Sequence, residues 1–541
     1  MFLLILSGSK CEAKDDIFIR LNQHGYLPGD IKTAVIISNE VLSGKQFSVL
    51  SSGKAEKSFT GLVGQSLGTF GEFKYSYQID FSKLKKRGNY KVVLGSNRTA
   101  GFSISNNIYN EVVDTLMQFF KIQRCGYTNP SYHDICHKYD ATSLIINGRE
   151  IAEKYDVSGG WHDAADYVKF INTTAYSVYT MLFAYDFDRK KFGFDNDKNG
   201  VPDIIEEAKV GLDWLLRCNY KKYQLITQVQ DLRDHDVGWR LPEDDPMEDE
   251  RPAFIGIGKN LVGIYTATMA LAYRIWSEKY DNNNFANNCL TAAENIYSVR
   301  NSAQDIDTTG TGHYRDNEYK GKLALGAIEM YITTQNDSFL EEAIKYANEA
   351  GSDYWWSWGN INSYAHYRIA KYKPEFANYI KNNLDVFYDN SRKKTFGEGV
   401  APAWGSNNTM LGVTLQSILY DDLKNTNKYD SLAVTQRDYV LGRNQWGISF
   451  VEGIGKRSSR NFHHQISFLK TKRLPGGFAA GPVSKEYLDS QNIPFENPDE
   501  YKRFQTDEAV YRDDRMDYIT NEPTISANAT AIFVMGYYSS R

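Results

Sequence analysis

Two spacings of apolar residues divide the chain. From about residue 17 to 104 they come in short runs: Ile17-Phe18-Ile19, Thr33 to Ile37, Phe47 to Leu50, Tyr75 to Ile79 and Tyr90 to Leu94. These runs are rich in β-branched and aromatic residues and are punctuated by Gly, Pro, Ser and Asn, as strands and turns are. Several such strands in so short a stretch predict a β-sandwich. From about residue 108 the spacing changes to three and four. Ile204, Ile205, Ala208, Leu212, Leu215 and Leu216 mark one helix, and Leu261–Trp276, Phe339–Ala350 and Met410–Leu423 behave alike. Between the helices lie stretches rich in Gly, Asn and Asp, notably 231–254, 300–320 and 455–515. Loops that long are commonly functional or disordered, so a mostly helical second part with a loop-built cleft is expected.

Composition narrows this without changing it. The 541 residues suggest two or three domains, and 42% hydrophobic with 24% charged residues describes a globular chain with material for large cores. A net charge of −5 with both signs interspersed gives no reason to expect nucleic acid or a membrane surface as partner. No apolar run reaches the length of a membrane-spanning helix. The five cysteines, Cys11, Cys125, Cys136, Cys218 and Cys289, are an odd number and too few for a disulfide-stapled fold. Met1 to Leu6 is a short apolar stub, read with the rest of 1–16 as a leader remnant, and Cys11 is a candidate lipid-attachment site with an unfavourable Lys10 before it. A secreted, periplasmic or cell-surface location and a monomer are expected.

The candidate chemistry centres on Val157-Ser158-Gly159-Gly160-Trp161-His162-Asp163-Ala164-Ala165-Asp166-Tyr167. Asp163 and Asp166 are three residues apart, and on the first turn of a helix they would share a face and aim at one water. A carboxylate that activates water needs a distant second carboxyl to protonate a leaving group, and Asp517-Tyr518-Ile519-Thr520-Asn521-Glu522 offers one. Taken singly, the first motif is as readily a helix N-cap and Glu522 a solvated carboxylate ahead of Pro523.

Five motifs in order carry more weight than one. Ser158–Tyr167 resembles the SGGWHDAGDY signature of glycoside hydrolase family nine, with Ala165 in place of the usual Gly. Asp517-Tyr518 with Asn521-Glu522 resembles its DYxxNE, Trp404–Asn407 its WGSN, and Tyr439–Asn444 its Y-[LV]-LGRN. Asn22 to Pro28 resembles the opening of the immunoglobulin-like domain often fused in front of such enzymes. The resemblance implies an all-β immunoglobulin-like sandwich over 17–104 followed by an (α/α)6 barrel over 108–541. It implies inverting hydrolysis of β-1,4-glucosidic bonds in a glucan, with Asp166 as general base, Asp163 holding the water and Glu522 as general acid. His463-His464 resembles the family's sugar-contacting PHHR motif, so His463 carries over, but Phe462 replaces the Pro and Gln465 the Arg. Gln is not a conservative replacement for a guanidinium fork. Trp239, Arg240, Trp404 and Tyr518 are candidate stacking or hydrogen-bonding residues, whereas Trp355, Trp356 and Trp358 fit a barrel lining.

Two metal sites are legible. Asp195, Asp197, Asn199, the Val201 carbonyl, Asp203 and Glu206 follow the EF-hand spacing, with Gly200 at the turn; calcium is expected there, in a structural role. Cys125, Cys136, His137 and His162 are tetrahedral zinc ligands by type, and the resemblance supports the assignment, since some family members carry zinc on a matching set. Four protein ligands close such a site, so the zinc would be structural and would brace the neighbouring Asp163. The segment after Thr311–Asp316 lacks the acidic-aromatic residues common in endo-acting relatives, so an exo-acting β-glucosidase or glucosaminidase is the alternative enzyme. A catalytically silent carbohydrate-binding protein is the alternative from another class. The acids Asp244, Asp245, Glu248, Asp249 and Glu250 read as a solvated face or as a block at one end of the cleft.

Overall fold

The computed structural model describes residues 17–53, 56–279, 283–310 and 314–540. Cys11 and the rest of 1–16 lie outside the described residues. The expected strands form, as β1 (Ile17–Arg20), β2 (Gly25–Tyr26), β3 (Thr33–Ser38), β4 (Gln46–Ser51), β5 (Lys57–Leu62), β6 (Gly68–Phe70), β7 (Phe73–Asp80), β8 (Gly88–Leu94), β9 (Asn97–Arg98) and β10 (Phe102–Ile104). One sheet runs β1-β3-β7-β6 and the other β2-β10-β8-β4-β5, with β9 beside β8. Their facing side chains, among them Tyr26, Ala34, Ile36, Phe47, Val49, Tyr77 and Val92, make the sandwich core.

Strand β3 is buried on both faces, which explains its unbroken apolar run. Ala34 and Ile36 point into the sandwich, while Val35 and Ile37 join the core of the helical part. Polar ties cross the same seam. Asn22 Nδ2 donates to Asp438 Oδ1 at 2.8 Å, and Arg437 pairs with Asp30 at 2.8 Å, all four buried.

The helices are α1 (Asn110–Gln123), α2 (Ile171–Phe187), α3 (Asp203–Arg217), α4 (Lys259–Lys279), α5 (Asn283–Tyr297), α6 (Lys320–Thr334), α7 (Asp337–Ala350), α8 (Asn362–Ala370), α9 (Ala377–Ser391), α10 (Ser406–Lys424), α11 (Asp430–Val440), α12 (Lys485–Ser490) and α13 (Ile525–Tyr538). Two kinds alternate. Helices α2, α10 and α13 are buried almost all round, whereas α7 buries only Ala343 and Ala347. A helix apolar on every side belongs inside, and an amphipathic one outside. Accordingly α2, α4, α6, α8, α10 and α13 each pack on the next, and α13 returns to α2 to close the ring. Outside them α3 lies on α2, α5 on α4, α7 on α6, α9 on α8, α11 on α10 and α1 on α13. This is the (α/α)6 barrel. A small sheet in the order β12-β11-β15-β14-β13, made of β11 (Ser143–Ile146), β12 (Arg149–Ile151), β13 (Lys169–Phe170), β14 (Leu225–Val229) and β15 (Pro252–Gly256), knits the loops at one mouth.

Candidate active site

The segment from Gly159 to Tyr167 is an irregular loop between β12 and β13, not the first turn of a helix, and α2 starts only at Ile171. Its shape follows from its residues. Gly159 and Gly160 take φ of +92° and +73°, and a Cβ on Gly160 would meet Trp214 Cγ at 2.7 Å, so glycine is required there. Asp166 Oδ1 accepts the Val168 N–H at 3.1 Å, while Asp163 N–H goes to Val168 O. The carboxylates are therefore presented by side-chain turns rather than by helical spacing. Gln123, at the end of α1, donates to the carbonyls of His162 (3.1 Å) and Ala164 (2.6 Å) and accepts from His464 at 2.8 Å. Ala165 has no left-handed φ, so the residue is tolerated where the resembling motif has Gly.

Glu522 reaches this loop from the far end of the sequence. Asp517 accepts the N–H groups of Ile519 and Thr520, each at 2.9 Å, and shapes a tight turn. Asn521 is pinned by Tyr511 Oη and by the Asn461 carbonyl, each at 2.6 Å. Glu522 Oε1 then accepts the Ala165 N–H at 3.1 Å, and Ile525 N–H bonds the Asp163 carbonyl at 3.0 Å. Burial, reinforced by Asp166 and Asp163, pushes the Glu522 carboxyl up to about 8. Burial likewise raises Asp163 to about 7, opposed by hydrogen bonds from Thr173 and Tyr314. Asp166 instead meets a cation: His235 Nε2 lies 3.0 Å from its Oδ2, and that contact carries the imidazole to about 9.

The candidate sugar-binding residues separate into two groups. Trp239 packs edge-on to His463 at 5.2 Å, His463 on Tyr518 at 6.0 Å and Tyr518 on Trp404 at 6.3 Å, giving one aromatic wall. Arg240 is not on that wall, which corrects the sequence expectation. Its guanidinium is buried between Asp234 (2.6 Å) and Asp245 (2.7 Å), so its donors are spent inside the protein. Gln465 also turns inward, accepting the Arg240 N–H at 2.8 Å and donating to Ala165 O at 3.2 Å. Trp356 is fully buried and bonds Tyr176, as a barrel lining would.

The side chains of Cys125, Cys136, His137 and His162 are buried, and their ligand atoms lie within 4.8 Å of one another. Cys125 Sγ to His137 Nδ1 is 3.6 Å, Cys136 Sγ to His162 Nε2 is 3.8 Å and His137 Nδ1 to His162 Nε2 is 3.1 Å. Bonds of about 2.3 Å to sulfur and about 2.0 Å to nitrogen at tetrahedral angles give edges of about 3.3–3.8 Å, so the set fits a tetrahedral metal. The outer nitrogen of His137 is held by Asp245 at 3.0 Å, and Lys169 Nζ stands 3.7 Å from Cys125 Sγ. Second contacts of this kind orient ligands. In the other set, oxygens of Asp195, Asp197 and Asp203 lie within 4.8 Å of one another, Glu206 is joined to Asn199 at 2.5 Å, and Val201 follows the turn at Gly200.

Sequence reasoning missed His235, Tyr314, Thr173 and Asp245. Only the last stood out, as one of the acids in 244–250, and it is neither solvated nor a block: it is buried against His137. Glu248 is likewise used, accepting the N–H groups of His137 (2.7 Å) and Lys138 (2.8 Å).

Comparison with known proteins agrees with the geometry. Residues 109–535 match the model of glycosyl hydrolase family 9, and residues 15–99 that of the cellulase N-terminal ig-like domain. Endoglucanase D of Acetivibrio thermocellus is 25% identical over 559 aligned positions, covering 96% of this chain and 83% of the relative. A xyloglucan-specific endo-β-1,4-glucanase of Bacteroides ovatus is 25% identical and covers 95% and 92%. A metagenome-derived family 9 endoglucanase structure superimposes with a TM-score of 0.83 at 24% identity, covering 97% of this chain and 99% of that one.

Proposed function

The chain belongs to glycosyl hydrolase family 9, and we propose that it cleaves β-1,4-glucosidic bonds within glucan chains, with inversion at the anomeric carbon. The observation that carries this reading is the meeting of Glu522 with the Asp163–Asp166 loop, where burial and two neighbouring carboxylates keep its proton on to about pH 8. A carboxyl held neutral at neutral pH is the group that protonates a leaving oxygen. Asp166 takes the role of general base: it abstracts a proton from the attacking water as the glycosidic oxygen receives one from Glu522, and the sugar passes through an oxocarbenium-like state. Asp163, its carboxyl buried and hydrogen-bonded by Thr173 and Tyr314, holds that water in line. The wall of Trp239, His463, Tyr518 and Trp404 receives the sugar faces.

In the same reading residues 17–104 and 108–541 are the two domains, and the enzyme works outside the cytoplasm, where a polymeric glucan is met. Zinc is held by Cys125, Cys136, His137 and His162, and calcium by the carboxylates of the 195–206 loop with Asn199 and the Val201 carbonyl. Both serve to fix loops, and when bound the zinc fixes His162 beside Asp163. Support comes from the two named endoglucanases that align over nearly the whole chain. The test is a product profile on soluble β-glucan, xyloglucan and cello-oligosaccharides, with Asp166→Ala and Glu522→Ala alongside. A rapid viscosity drop with mixed oligomers, lost in both variants, is expected. Release of monosaccharide alone from chain ends would refute the endo reading.

A further inference from the structure

A run of side-chain contacts leads from the Cys/His cluster to the candidate base through a loop other than the one that carries His162 and Asp166. Asp245 Oδ2 lies 3.0 Å from Nε2 of His137, and its Oδ1 is 2.7 Å from Arg240 Nε. Arg240 Nη2 reaches Asp234 Oδ1 at 2.6 Å, and its guanidinium lies over the Tyr167 ring at 5.0 Å. Asp234 Oδ2 accepts the Tyr167 N–H at 3.1 Å, and the Tyr167 hydroxyl donates to the Arg240 carbonyl at 2.5 Å. The residue after Asp234 is His235, with its Nε2 3.0 Å from Asp166 Oδ2. The same loop is clamped a second time where Glu248 accepts the N–H groups of His137 and Lys138.

We propose that Asp245 and Arg240 are positioning residues that hold His235 against Asp166, so that order at the metal cluster and aim of the base are coupled through the loop 234–248. The inference rests on the reading of Asp166 as base and of the Cys/His set as a metal site. Geometry favours it over a purely local role for the loop. Arg233, His235 and Asp236 are all open to solvent, and the imidazole also meets the Leu232 carbonyl of its own turn, 3.3 Å from its Nδ1. Arg240 by contrast is buried and planar, and its fork bridges two carboxylates that face opposite ends of the path. A rotation of Asp245 is therefore passed to Asp234, whose other oxygen already grips the backbone next to Asp166.

Arg240→Gln is the informative variant, because Arg240 touches neither the metal ligands nor Asp166. Two readouts are taken on the full-length, metal-loaded enzyme: zinc release to a chromogenic chelator, and kcat and KM on soluble β-glucan. Arg240→Gln and Asp245→Asn should both lower kcat by about 10-fold or more, leave KM within about twofold, and speed zinc release by about 10–100-fold. His235→Ala should match the kcat loss and release zinc at the wild-type rate. The double variant Arg240→Gln/His235→Ala should fall no lower than the worse single, since residues acting in series are not additive. Multiplying losses, or an unchanged kcat in Arg240→Gln, would overturn the coupling. Should Arg240→Gln fail to fold, Arg240→Lys takes its place in the same cycle. Full activity in Asp166→Asn, or a wild type that binds no zinc, would instead remove the underlying reading.

Discussion

Replacing Glu522 by Gln separates catalysis from stability in opposite directions. In the folded protein its carboxyl is pushed from 4.5 to about 8, chiefly by burial. That rise of about 3.5, at about 1.36 kcal/mol for each, makes ionisation in place cost about 5 kcal/mol more than in the unfolded chain. The folded value lies above the unfolded one, so the contribution is fully present below about pH 4.5 and is lost as pH climbs through about 8. Between pH 6 and pH 9 the wild type should lose about 3 kcal/mol through this one group, and Gln, which has no proton to lose, should lose none. In thermal melts this is a gap in favour of the variant that widens by roughly 2–3 °C from pH 6 to pH 9. Hydrolysis of β-glucan by the variant should drop by about 10²–10⁴. An aryl cellobioside with a good leaving group, which needs no protonation, should suffer less. Equal melting differences at both pH values would refute the argument that the site holds a neutral carboxyl.

The wild-type rate on β-glucan should fall as pH rises through about 8, following deprotonation of the same group, and a pH–rate profile reads this directly. Gly160→Ala should cost about 2 kcal/mol or more, because the added methyl meets Trp214 at a residue whose φ is +73°; urea melts and kcat should both register it. Arg437→Met should destabilise by about 3–5 kcal/mol, since it strands Asp30 and Asp438 in the seam between sandwich and barrel, and a melt of the intact chain measures it. Trp404→Ala should weaken long cello-oligosaccharides by about fivefold with kcat kept, because the ring is 45% exposed at the outer end of the aromatic wall; KM for hexaose against triose shows it. EDTA, which removes both metals, should lower the melting temperature; after its removal added calcium should restore one part, in proportion to the logarithm of its concentration, and zinc the other.

Much of this was legible in the sequence, because strand and helix periods survive whatever the chain packs against. Two of the helices read from the period, Leu261–Trp276 and Met410–Leu423, belong to the inner ring and two, in α3 and α7, to the outer one; the period does not tell which is which, and the short motifs pointed to the ring. The carboxylates were found from their order in those motifs, but their geometry was not: a spacing of three suggested a helical turn, and side-chain caps from Asp166 made a loop instead. Arg240 looked like a sugar ligand because exposed and buried arginines spell alike. Asp245 looked like surface charge for the same reason. Asp245 is decided by His137, 108 residues away, and no local pattern records that; the partners of Arg240, Asp234 and Asp245, are only six and five residues away, but their spacing does not show that the loop folds them onto one guanidinium.

The ring closes when α13 settles between α1, α2 and α10, and this has a meaning in time as well as in space. On a ribosome, which delivers residues in order, five of the six inner helices emerge while their ring still has a gap. Glu522 emerges just before the helix that fills it. Closure of the barrel and delivery of the proposed proton donor are thus one event, so a nascent chain carries Asp163 and Asp166 for more than 350 residues of synthesis before Glu522 can join them.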